Sequence, residues 1–164
     1  MDEADAALAI LDAGNAATEQ QWAALWASEG YRRLKQREAA MGRAFEDSTF
    51  RAFLLSDSMR AQEPLLRRTV DSWRQADIRS AAARARAYLP AGSTIRARMY
   101  PVIKPLTNSF VFDLNTDSAA IFMFVDPTVS RAQLENTLAH ELHHVGYAAA
   151  CPDDDRDAFT EPVW

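Results

Sequence analysis

The chain has a single cysteine, Cys151, in 164 residues. With no intramolecular partner, it excludes a disulfide framework. Five glycines and seven prolines are too few for a collagen-like or low-complexity chain. No stretch approaches the roughly 18 consecutive apolar residues that a membrane span needs. The first 30 residues hold six acids and no Lys or Arg. The opening MDEADAALAILDAGNAA therefore lacks the basic start of a secretory signal, and a cytoplasmic location is the expectation. Histidine is equally scarce. The three in the chain, His140, His143 and His144, fall within five consecutive residues.

What is present is ordinary for a globular protein: 48% apolar and 25% charged residues. The length suits one domain able to bury roughly two-thirds of its unfolded surface. The formal net charge of −5 argues against a general nucleic-acid partner. It hides a split, because residues 31–104 carry sixteen bases and seven acids, and residues 105–164 carry two bases and ten acids.

The pattern changes near residue 90, dividing the chain into a helical region, 1–90, and a second region, 91–164, expected to form one continuous domain. The fold class expected is α+β, with a small antiparallel or mixed sheet between the helices and a last helix. Thr18 is a cap for a helix whose stripe is Trp22, Leu25, Trp26 and Leu34, extending toward Met41 and Phe45. Trp22 and Trp26 read as core. Phe50, Phe53 and Leu54 mark a second helix. A third places Pro64 in its first turn and carries Leu66, Val70 and Trp73 as far as Tyr88. Alternation over Thr94–Lys104 predicts a strand. Ser109–Leu114 and Ala119–Val125 predict a hairpin around Asn115–Ser118. Ser130 and Gln133 have capping-box spacing. They open a helix to Tyr147 with Leu134, Leu138, Leu142 and Val145 on its buried stripe.

That last helix carries His140-Glu141-Leu142-His143-His144, an HExxH pattern. Residues four apart share a helix face, so His140 and His144 can aim two imidazoles at one Zn²⁺ ion. Glu141, turned about 100° from His140, can stand beside the metal's water as general base. His143 points off that face.

The segments TNSFVFDL, AAIFMFVDP and LAHELHHVGY resemble the core of the zincin metallopeptidases. They also resemble bacterial families described as zinc-dependent peptidases of unassigned substrate. The resemblance covers about a third of the chain and implies His140 and His144 as zinc ligands and Glu141 as catalytic base. It implies a peptide or protein substrate held as an added strand on an edge strand, for which Ile121–Val125 is the candidate. The metzincin continuation is absent, since Tyr147 and Ala150 stand where its glycine and third histidine would be. A gluzincin-like third ligand would be a later glutamate. Glu161 is the sole downstream glutamate, but it precedes Pro162, a context that disfavours helix. Asp153, Asp154, Asp155 and Asp157 are either a ligand set or a solvated loop, and Cys151 is either a thiolate ligand or a small apolar residue. The remaining choice is a ligand beyond Trp164.

Tyr147 is either a cleft residue or helix-end packing, and Tyr100 and Asn108 are candidates to face the cleft. Arg67, Arg68, Arg74, Arg79, Arg84 and Arg86 form a basic helix that is either solvated, docked on the chain's own acidic ends, or a surface for an acidic partner. The function expected is zinc-dependent peptide hydrolysis. The alternative is an inactive or truncated zincin-like scaffold that binds metal or peptide without turnover. Oligomeric state is not readable.

Overall fold

The computed structural model describes residues 1–114 and 118–151. Six α-helices precede the first strand. They are α1 (Asp2–Ala13), α2 (Glu19–Ala27), α3 (Glu29–Ala40), α4 (Asp47–Leu54), α5 (Asp57–Trp73) and α6 (Ile78–Arg86). Strands β1 (Ala97–Val102), β2 (Phe110–Phe112) and β3 (Ala119–Phe124) follow, then α7 (Arg131–Ala150). The architecture is α+β, a helical front and a small mixed sheet, as the change of period at residue 90 implies.

Local chemistry sets several boundaries. Thr18 and Ser130 each accept from the backbone N–H three residues on, and Gln21 and Gln133 each reach back to the cap's own N–H. These reciprocal bonds satisfy donors that a helix start leaves open. The long helix expected from Thr18 is two. Ser28 is extended at ψ 144°, and its hydroxyl accepts from the Tyr31 N–H to start α3. Met41 is correspondingly exposed, and the stripe does not continue through it. The third expected helix also divides. Asp77 caps α6 by accepting from the Ser80 N–H at 2.9 Å. Pro64 lies inside α5 rather than in its first turn. It sits on the solvent side, where the carbonyl it deprives of a partner is open to water.

The sheet order is β1-β3-β2, with β3 parallel to β1 and antiparallel to β2. Ile121–Val125 therefore belongs to the central strand. It is not an edge, and it cannot receive an added strand.

Among the described residues, the ladder shows which backbone groups face away from a neighbouring strand. The Val125 N–H donates to the Val102 carbonyl, and the Phe124 N–H donates to Ser109 Oγ, both at 3.0 Å. Backbone groups alternate sides along a strand. Odd residues of β3 thus bond toward β1 and even residues toward β2. With Phe110 opposite Phe122 and Phe112 opposite Ala120, Val111 turns its N–H and C=O to the outer edge of β2. By the same alternation Pro101, which has no N–H, faces the outer edge of β1. A proline there blunts that edge as a template.

The two faces of the sheet are covered differently. Ile121, Met123, Ala119 and Val111 join a large apolar cluster with α1, α5 and α7. Tyr100, Phe110 and Phe122 stack on the other face against Leu34 of α3. Part of the charge split is paired within the chain. Arg74 of the basic segment pairs with Asp5, Arg51 with Glu19 and Arg98 with Glu29. Docking on the acidic N-terminal segment thus accounts for part of the basic surface.

Candidate metal centre

α7 buries Leu134, Leu138, Leu142 and Val145, the stripe expected of it. Gly146 lets the helix come close to the loop before β1. A Cβ at that position would stand 2.2 Å from Leu89 Cδ1 and 3.0 Å from Ile95 Cγ1. This packing fixes the rotation of α7 and so decides what its remaining faces present.

His140 and His144 present their rings together. The Nε2 atoms lie 2.9 Å apart, with ring centroids 4.5 Å apart and planes at 89°. Two ligand nitrogens about 2.0–2.1 Å from one zinc ion in a tetrahedral site lie about 3.3 Å from each other. At 2.9 Å the two nitrogens stand at hydrogen-bond distance, and a small rotamer adjustment would open them to that spacing. Burial, then the neighbouring His140 and His143, lower the pKa of His144. That favours the neutral imidazole, the form that donates a lone pair to a metal.

Glu141, next to His140 in sequence, is half-buried, and burial pushes its carboxyl up to about 7. A carboxyl in that range can exchange a proton near neutral pH. His143 packs edge-on to His144 at 6.4 Å and stacks with Tyr147 at 6.3 Å and 24°.

The described residues contain no cluster of three or more His, Cys, Asp or Glu able to hold a metal. Cys151, at the end of α7, donates its N–H to the Tyr147 carbonyl and does not complete such a cluster. Glu161, Asp153, Asp154, Asp155 and Asp157 lie outside the described residues.

Two other candidates are held by neighbouring groups. Tyr100 is buried on the α3 face, with its hydroxyl 3.4 Å from Arg33 Nη1, where aromatic packing on β3 claims the ring. Asn108 accepts from the ammonium of Lys104 at 2.8 Å. A cavity of about 610 Å³ is lined by Trp73, Ile78, Met99, Ile121, Leu138 and Leu142. Leu142 is about 200° round α7 from His140, so this cavity opens on the far side of the helix. Sequence reasoning missed that β2, with Val111 facing outward, is an edge strand among the described residues, because strand order is decided by pairing partners distant in the chain.

No helix among the described residues is long and apolar enough to cross a membrane. Residues 22–159 match the profile of the family described as "Putative zinc dependent peptidase (DUF5700)". No curated protein and no solved structure matches the chain.

Proposed function

The chain belongs to that peptidase family, and on that premise we propose that it hydrolyses peptide bonds with a zinc ion held by His140 and His144. The observation that carries the reading is the 2.9 Å approach of the two Nε2 atoms on one face of α7. Zinc in such a site supplies Lewis acidity, acidifying water and polarising a peptide carbonyl. Glu141, one residue along the helix, takes the proton from the attacking water and returns it to the leaving amine. Its half-buried position keeps the carboxyl in a range where both transfers are accessible near neutral pH. The zincin-like reading extends to the substrate. An extended peptide adds to the outer edge of β2 through the N–H and C=O of Val111, in place of the β3 edge that the sheet order rules out. The third ligand is a carboxylate outside the described residues, with Glu161 the candidate within this chain.

The test is peptide cleavage by the zinc-loaded chain beside Glu141→Gln, with metal content measured on both. The reading expects equal zinc in the two and a loss of about a hundredfold or more in kcat for the variant. Zinc binding without turnover in the wild type would favour the scaffold alternative instead.

A further inference from the structure

β2 is three residues long and is the only strand covering that side of β3 among the described residues. Two inward hydrogen-bonded pairs are a thin ladder for an edge strand, and short hairpins are marginal without other support. The support comes from α3, which crosses the rear of the sheet. Arg33 is buried, and its Nη2 donates to Asp113 Oδ2 at 2.9 Å and to the carbonyl of Ser118. These two acceptors flank the turn joining β2 to β3. Nη1 lies 3.4 Å from the Tyr100 hydroxyl of β1, so one guanidinium touches the surroundings of all three strands. Asp113 takes a left-handed backbone, φ 58°, unusual outside glycine, and its carboxylate faces the guanidinium. One turn along α3, Arg37 places its guanidinium 4.0 Å over the Phe110 ring, at the opposite end of β2. Glu38 accepts from Arg37 Nη1 at 2.7 Å and holds it there.

We propose that Arg33 and Arg37 are positioning residues that grip the two ends of β2 and keep it a rigid receiving edge for an extended peptide. The inference rests on the peptidase reading, because the strand that β2 would receive is the substrate. Neither arginine touches substrate or metal. Their effect is to order the Val111 backbone groups before binding, so that the peptide does not have to order them.

The experiment uses the full zinc-loaded chain and four variants: Arg33→Met, Arg33→Lys, Arg37→Met, and Arg60→Met as an arginine removed from a surface pair. Amide exchange over residues 110–112 is measured beside exchange over α1, and cleavage of an extended peptide gives KM and kcat separately. Arg33→Met removes the guanidinium that faces the Asp113 carboxylate, so Arg33→Met/Asp113→Asn is measured in case the single variant does not fold. Arg33→Met and Arg37→Met are expected to speed exchange in β2 by about tenfold with α1 unchanged. KM rises by a similar factor while kcat stays within about twofold. Arg33→Lys, which keeps the charge but loses the fork, falls between, and Arg60→Met matches the wild type. Unchanged β2 exchange and unchanged KM in both Arg33→Met and Arg37→Met overturn the grip while leaving the peptidase reading intact. A wild-type chain that cleaves no peptide overturns the peptidase reading. The substrate role of the grip then goes with it, even if β2 exchange responds as expected.

Discussion

The same three strands meet two different environments. On the front, Ile121, Met123 and Val111 pack on the aliphatic stripe of α7 and on α1 and α5. On the rear, aromatic rings meet cations: Arg33 beside Tyr100, Arg37 over Phe110, and Lys104 between Phe110 and Phe124. The front is non-directional burial, which supplies stability in proportion to area. The rear is directional, each cation tied to named acceptors, and such contacts fix position more than they add stability. The sheet thus derives its hold on α7 from one face and the placement of its short edge strand from the other.

The largest break in this contrast is on the front. Leu138→Ala empties a position that is 1% exposed between α7 and the sheet. It should lower unfolding free energy by about 2–5 kcal/mol, read from urea melts with an unchanged slope. The rear should respond to pH instead. Burial lowers the Lys104 pKa to about 8, with Glu38 acting against the shift and Arg37 and Arg43 adding to it. An unfolded lysine titrates near 10.4. Between those values the unfolded chain binds more protons, so stability rises with pH from about 8 to 10.4, by up to about 3 kcal/mol. Lys104→Met should flatten that rise, and melts at pH 7, 8.5 and 10 measure it. The smallest effect concerns the cap of α7. Ser130→Ala should cost about 1 kcal/mol, because the Gln133 N–H loses its acceptor. Its size sharpens the comparison, since α7 is held mainly by the front packing.

Much of this was legible because it is local. The caps at Thr18 and Ser130, the buried stripe of α7, the β2–β3 hairpin and the i, i+4 spacing of His140 and His144 depend on residues within a few positions of each other. The break at Ser28 was hidden because the residues after it remain compatible with helix, so only the hydroxyl's bond to Tyr31 marks the restart. The break before α6 carried a signal, Asp77 three residues before Ser80, that helical composition on both sides obscured. Strand order was not legible at all. It depends on β1 pairing parallel to β3 with β2 skipped in the sequence, and β3 reads from its apolar run as buried, which suits a central strand as well as any other. Arg33 was equally hidden, since its acceptors lie 80 and 85 residues away.

The central claim is that the histidine pair of α7 is a zinc site, and metal content tests it most directly. Purified chain dialysed against limiting zinc should retain about one equivalent by mass spectrometry. His140→Ala and His144→Ala should each lose it, while His143→Ala and Glu141→Gln keep it. Equal zinc in the wild type and both ligand variants, or none in any, would contradict the account.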